Sequence, residues 1–249
     1  MASGESSGAD TGATEQLYAL DSSIKEFNTH VLEVQGDEVA LAATAFYPGG
    51  GGQPNDLGTL FCDDRTWRVT GVRKDGDLIW HKLEGAPLPK QGDAVWGLLD
   101  WDRRYLLMRT HTALHILSAI AYRDHGATVT GGNMEPGEGR LDFEIADFSP
   151  AVAEAMVHKA NHEVARDHEV RVYTLPRDEA LQLPDLIRTK TNLIPPEVKR
   201  IRIVEIVGLD RQADGGTHVG STAEVGQISL RGTRSKGASN KRIMIGLEP

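Results

Sequence analysis

The chain has a single cysteine, Cys62, so no intramolecular disulfide can brace it, and a reducing cytoplasm is the expected setting. It has no run of about 18 apolar residues, which excludes a membrane-spanning helix. The N-terminus lacks the basic start and apolar stretch of a secretory leader. Basic charge is also in deficit: 27 Lys and Arg against 36 Asp and Glu leave a net charge of −9. That balance argues against a general nucleic-acid coat protein, so an RNA partner would be held by local basic patches, with salt-sensitive affinity. The glycine run Gly49–Gly52 is not followed by the Lys-Ser/Thr of a phosphate loop, so no nucleotide cofactor is expected. What remains is ordinary for a globular protein. The 249 residues are 39% hydrophobic and 25% charged, enough for one large domain or two modest ones with a buried core.

Residues 1–16 are small and polar, with three acids and no Lys or Arg, and read as a disordered tail. Residues 17–99 show short alternating runs broken by Gly36-Asp37, Gly49–Gly52, Asp63-Asp64 and Asp75-Gly76, the pattern of a small β-barrel carrying a glycine-rich motif. From residue 100 to 249 the pattern changes. A helix is expected over 102–124, ended by Gly126, followed by an extended stretch over 127–145. A second helix starts at Ser149-Pro150 and runs to about Asp167, and a short one lies near 177–183. Strands and helices are segregated, which predicts an α+β fold.

Two HxxxH pairs occur, His111/His115 and His158/His162. On a helix such a pair lies about 40° apart on one face and can grip one metal ion. Periodicity separates the two. His111, His115, Ser118 and Tyr122 fall within roughly 60° on a helix that is otherwise nearly all apolar. That helix should be buried, and buried polar groups need partners. His158 and His162 lie opposite the Val152, Met156, Ala160 and Val164 face, toward water. Residues 112–114 are Thr-Ala-Leu, so the general-base glutamate of an HExxH protease is missing.

A metal site needs further ligands. The best candidate is Ala213-Asp214-Gly215-Gly216-Thr217-His218, where Asp214 and His218 flank a Gly-Gly turn.

His111-x-x-x-His115, followed roughly a hundred residues later by Gly-Gly-Thr-His, resembles the editing domain shared by alanyl- and threonyl-tRNA synthetases. The stretches Phe46-Tyr-Pro-Gly-Gly-Gly-Gly-Gln-Pro-Asn-Asp-Leu-Gly58, Gly139-Arg-Leu-Asp-Phe143 and Ser235-Lys-Gly-Ala-Ser-Asn-Lys-Arg242 point to its alanyl branch, and to the free-standing, two-domain editing proteins. The resemblance runs from about Leu17 to the C-terminus. It implies an N-terminal barrel followed by a zinc-dependent editing domain. It also implies hydrolysis of serine, and by extension glycine, from alanine-specific transfer RNA. The two alternatives are a non-catalytic tRNA-binding module with a degenerate metal site, and an editing hydrolase for serylated threonine-specific transfer RNA.

On this resemblance His111, His115, Asp214 and His218 are the metal ligands. Asp214 departs from the family, which usually has cysteine there; it either ligates as a harder oxygen donor or stands just outside the coordination sphere. Gln53, Arg140, Asp142 and Thr217 join Asp214 as candidate catalytic-site residues. Arg140 and Asp142 share one face of a strand, and Thr217 is suited to contact a serine hydroxyl. Gly50, Gly51 and Gly52 are expected near the acceptor end of the RNA. Lys236, Lys241 and Arg242 are the expected phosphate contacts.

Overall fold

The computed structural model describes residues 12–184, 186–189, 194–235, 237 and 240–248. The chain divides into two compact units. One contains the chain up to Tyr18 with Ile24–Pro48 and Asn55–Asp100; the other contains Ala19–Ser23, Gly49–Pro54 and the chain from Trp101. The glycine loop therefore belongs to the second unit, although it is embedded in the sequence of the first.

The elements preceding Asp100 are β1 (Glu15–Gln16), α1 (Leu17–Leu20), β2 (Glu26–Gln35), β3 (Glu38–Leu41), β4 (Ala43–Thr44), β5 (Gly58–Cys62), β6 (Arg65–Asp75), β7 (Leu78–Glu84) and β8 (Ala94–Leu99). Six of them close into an antiparallel barrel in the order β2-β3-β7-β6-β5-β8. Alternation dictates which residues fill it. In β6, Trp67 and Val69 are buried while Thr66 and Arg68 are exposed, and a bulge between Val69 and Gly71 shifts the phase so that Val72 is buried next. Two-residue loops at Gly36-Asp37, Asp63-Asp64 and Gly76-Asp77 close three hairpins. Their first residues have φ of 60, 50 and 58°, the positive values that suit the strand twist.

One buried polar network sits in this barrel. His81 is fully buried; its Nδ1–H donates to the Val39 carbonyl at 3.3 Å, and its Nε2 accepts from the Thr44 hydroxyl at 2.8 Å. Burial pushes the His81 imidazole down to about 4 against the pull of the Val39 and Ile79 carbonyls, so it is neutral at pH 7.

The end of the expected tail is ordered. Thr14 N–H donates to Asp77 O at 2.9 Å, its hydroxyl donates to Leu41 O at 2.7 Å, and Glu15–Gln16 pair in parallel with Ala43–Thr44. Composition misplaces this boundary because Thr14, Glu15 and Gln16 bring no apolar side chain; they are held by main-chain pairing and one hydroxyl.

The second unit comprises α2 (Trp101–His125), β9 (Thr128–Glu135), β10 (Glu138–Glu144), α3 (Pro150–Ala165), β11 (Val170–Pro176), α4 (Arg177–Ala180), β12 (Arg200–Ile206), β13 (Asp210–Ala213), β14 (Ile228–Ser235) and β15 (Asn240–Leu247). An antiparallel sheet runs β14-β15-β10-β9, and a second runs β11-β12-β13. The architecture is α+β. Leu107, Leu114, Leu117 and Ile120 of α2 pack with Leu141 and Phe143 of β10, Met156 and Ala160 of α3, and Ile243 and Ile245 of β15. α2 stops where Gly126 takes φ 60°, with Gly126 N–H on Tyr122 O and Ala127 N–H on Ala121 O. α3 begins at Ser149, whose side chain accepts from Val152 N–H at 3.3 Å.

Candidate metal centre

α2 is buried continuously from Thr110 to Ala121, so His111 and His115 cannot be solvated. The Asp214–His218 turn follows β13 and brings its two side chains onto the same spot. One candidate ligand atom from each of His111, His115, Asp214 and His218 lies within 4.8 Å of the others. His218 Nε2 is 3.2 Å from Asp214 Oδ2, and His111 Nε2 is 3.7 Å from Asp214 Oδ1. The imidazole centroids are 4.3 Å (His111–His218), 4.6 Å (His115–His218) and 5.0 Å (His111–His115) apart.

Gly216 of the turn is a packing requirement, whereas Gly215 faces open space. A Cβ on Gly216 would overlap the His111 ring and come 2.8 Å from Gln53 Oε1. Asp214 Oδ2 also accepts from Gly216 N–H at 2.7 Å, which folds the turn back on itself.

The outward nitrogens of His111 and His218 are held by neighbours. Thr217 N–H donates to Gln53 Oε1 at 3.1 Å, which fixes the orientation of that amide. The same oxygen then accepts from His111 Nδ1–H at 2.9 Å, leaving the His111 Nε2 lone pair facing the cluster. Gln53 Nε2 donates to Thr217 Oγ1 at 2.8 Å. Thr112 Oγ1 lies 3.1 Å from His218 Nδ1 and, as a hydroxyl, serves either tautomer of that ring.

Electrostatics suit a cation. Burial holds His111 down to about 4, helped by His115 and Arg202 and opposed by Asp214. Burial likewise holds His218 well below the usual imidazole value, with His111 adding and Asp214 opposing. Burial alone would raise the Asp214 carboxyl; His111, the hydrogen bond from His218, and His115 outweigh it and leave it well below the carboxylate range. At neutral pH the cluster offers imidazole lone pairs and one carboxylate. Ligands of a tetrahedral zinc ion lie about 3.3 Å from one another, and three nitrogens with one oxygen form an accepted donor set. The donor chemistry and the clustering within 4.8 Å fit a metal ion.

The remaining candidate residues divide. Gln53 and Thr217 join the cluster directly. Gly51 lies beside it: a Cβ there would be 4.0 Å from Asp214 Oδ1. Gly52 presses on β9, its carbonyl accepting from Met134 N–H at 3.0 Å, while Gly50 pairs with Gln53 across the loop. Arg140, Asp142 and Arg242 form a separate cluster on β10 and β15. Arg242 grips the buried Asp142 with two bonds of 2.6 and 2.8 Å, and Arg140 adds a third at 3.3 Å. Lys241 Nζ donates to Ser235 Oγ and Gly237 O, both at 2.9 Å. Lys236 lies outside the described residues. His158 and His162 are exposed. Thr112 and Arg202, whose Nη1 donates to Asp214 O at 3.0 Å, were not singled out from sequence. Thr112 sits between the two helical histidines, and that adjacency was the only available signal.

Comparison with known proteins bears on what this cluster serves. Residues 6–103 match the family model described as tRNA synthetases class II (A), and residues 201–244 match the threonyl and alanyl tRNA synthetase second additional domain. Alanyl-tRNA editing protein AlaX-M of Saccharolobus solfataricus is 41% identical over 239 residues, covering 95% of this chain and 100% of that protein. The chain belongs to the alanyl-tRNA editing protein family. The protein of the same name from Methanosarcina barkeri is 37% identical, with 92% of this chain and 97% of that one aligned. Alanine–tRNA ligase of Pyrococcus abyssi is 40% identical over 224 residues, 89% of this chain but only 24% of the ligase. The alanyl-tRNA editing family is thus related to a segment of a much longer synthetase.

Proposed function

We propose that this protein edits alanine-specific transfer RNA, hydrolysing the ester of a wrongly attached serine, with glycine as a second substrate. The observation that carries this reading is the buried cluster of His111, His115, Asp214 and His218 in a chain similar over 95% of its length to an alanyl-tRNA editing protein. His111, His115 and His218 would hold zinc through Nε2, and Asp214 through a carboxylate oxygen. A zinc ion held there would supply Lewis acidity for the ester.

The protein's own groups do the rest. Gln53 holds His111 in the tautomer that turns Nε2 inward. Thr217 Oγ1 accepts from Gln53, which leaves the threonine hydroxyl hydrogen to donate to the serine hydroxyl of the substrate. The bare backbone at Gly51, beside Asp214, gives the aminoacyl end close access. Arg140, Arg242 and Lys241 supply positive charge for the RNA; with Arg242 committed to Asp142, its contribution is a fixed field more than a mobile phosphate grip.

A binding-only reading is favoured by one observation, the Asp214 carboxylate satisfied by its own turn at Gly216 N–H. Deacylation of serylated alanine-specific and serylated threonine-specific transfer RNA, with chelator and after adding zinc back, separates these readings. The expected outcome is chelator-sensitive hydrolysis of the alanine-specific substrate. Binding of that RNA with no hydrolysis at any zinc level would replace editing with the binding-only reading.

A further inference from the structure

The three histidines of the cluster are not equally supported. His111 Nδ1 bonds to Gln53 and His218 Nδ1 to Thr112. His115 Nδ1 is buried with no hydrogen-bond partner among the described residues. A buried imidazole N–H without an acceptor is costly, and a metal-ligating histidine ordinarily donates that hydrogen to an oxygen.

The nearest charged group is Asp210, the first residue of β13. Its Oδ2 lies 3.8 Å from His115 Nδ1, and its side chain is only 1% exposed. Asp210 does not point there by accident of the surface. Arg188 reaches Oδ1 through Nη2 at 3.3 Å and Nε at 3.4 Å, and Gln212 Nε2 donates to Oδ2 at 2.5 Å. Arg188 in turn lies over the Tyr122 ring, 3.8 Å from its centroid, about two helical turns beyond His115 on α2. A carboxylate buried this deeply is expensive unless paired, and the pairing with Arg188 places its second oxygen toward the metal cluster.

We infer that Asp210 is the positioning residue for His115: it accepts the Nδ1–H and fixes the tautomer whose Nε2 lone pair faces the metal, with Arg188 holding the carboxylate in place. The 3.8 Å separation exceeds a charge-assisted hydrogen bond by about 1 Å, the gap that must close for the bond to form. Gln53, Thr112 and Asp210 then form one supporting group for each histidine, drawn from the glycine loop, α2 and β13. This inference rests on zinc being held by the cluster.

The test measures zinc affinity of the full chain by competition with a chromophoric chelator, together with the visible spectrum of the cobalt-substituted protein. For Asp210→Ala we expect zinc affinity to fall about 10- to 100-fold and the cobalt bands to change. Asp210→Asn has one acceptor oxygen where Arg188 and His115 each face one, so it should recover only part of the affinity, less than wild type and more than Asp210→Ala. Asp210→Leu with Arg188→Met removes the ion pair as a unit and should show the affinity loss even if Asp210→Ala fails to fold. Folded variants that bind zinc within twofold of wild type, with an unchanged cobalt spectrum, would overturn the role of Asp210. A wild-type protein that binds neither metal would instead remove the zinc reading on which it rests.

Discussion

Replacing Gln53 with alanine tests how the glycine loop acts on the histidine–aspartate cluster. Gln53 is 2% exposed and makes three hydrogen bonds: from Thr217 N–H, to Thr217 Oγ1, and from His111 Nδ1–H. Alanine removes all three and leaves two buried donors, the Thr217 amide and the His111 ring, without acceptors. Each orphaned donor costs about 1–3 kcal/mol, so the folded state should lose roughly 2–6 kcal/mol, less whatever water entering the vacated space restores. Without Gln53, His111 no longer has its tautomer set, and zinc affinity should fall by about 10- to 100-fold, as for loss of other groups that orient a ligand. Urea unfolding of the chelated protein isolates the stability term, and chelator competition isolates the affinity. Gln53→Glu should behave differently. It retains the acceptor for His111 and for Thr217 N–H but draws the Thr217 hydroxyl hydrogen onto its second oxygen, so zinc should stay bound while deacylation of serylated RNA drops. Unchanged zinc affinity and unchanged urea midpoint for Gln53→Ala would refute the account of the loop.

Four further outcomes are expected. His115→Ala should lose near-stoichiometric zinc on elemental analysis, whereas the double replacement of His158 and His162 by alanine should change stability by about half a kcal/mol or less, because both side chains are exposed; a tenfold loss of deacylation in the double variant would show that the wrong pair was chosen. Asp214→Cys should bind zinc more tightly than wild type and Asp214→Ala more weakly, and equal affinity in Asp214→Ala would remove it from the ligand set. Gly216→Ala should lower zinc affinity although no ligand is altered, since its Cβ must displace the His111 ring or Gln53; retention of wild-type affinity would show the turn to be loosely packed. In the barrel, His81 is held to about 4 against 6.5 unfolded, so its contribution is full above pH 6.5 and is lost as pH falls toward 4, because the unfolded chain takes up the proton first. That amounts to about 3 kcal/mol, and His81→Gln should flatten the fall in urea stability between pH 7 and pH 4 relative to wild type; parallel curves would contradict it.

The histidine–aspartate cluster was legible from residue order to different degrees. The choice of His111/His115 over His158/His162 followed from periodicity, because a histidine stripe on an otherwise apolar helix must be buried, and α2 is buried from Thr110 to Ala121. The pairing of that stripe with Asp214 and His218 rested on donor chemistry, the need of a two-histidine site for further ligands, and the resemblance supported it; nothing local to either segment indicates that they meet. Gln53 was named for its place in the glycine motif, but its contact with His111 spans 58 residues and could not be derived from either neighbourhood. Asp210 went unnoticed: four positions before Asp214, it reads as one more acid at a turn.

Local sequence determined those features that depend on neighbours within a few positions. These are the barrel hairpins at Gly36, Asp63 and Gly76, the stop of α2 at Gly126, the Ser149 start of α3, and the separation of the two histidine pairs. Backbone sterics and the helical or strand period act over that range and leave a direct trace in residue order. Tertiary structure alone decided that Glu15–Gln16 pair with Ala43–Thr44, that the Gly49–Pro54 loop belongs with the helical unit, and that Arg242 is committed to Asp142 across 100 residues. Those outcomes are set by which buried donors and charges find partners, and a polar side chain carries no local mark of the distant group that will satisfy it.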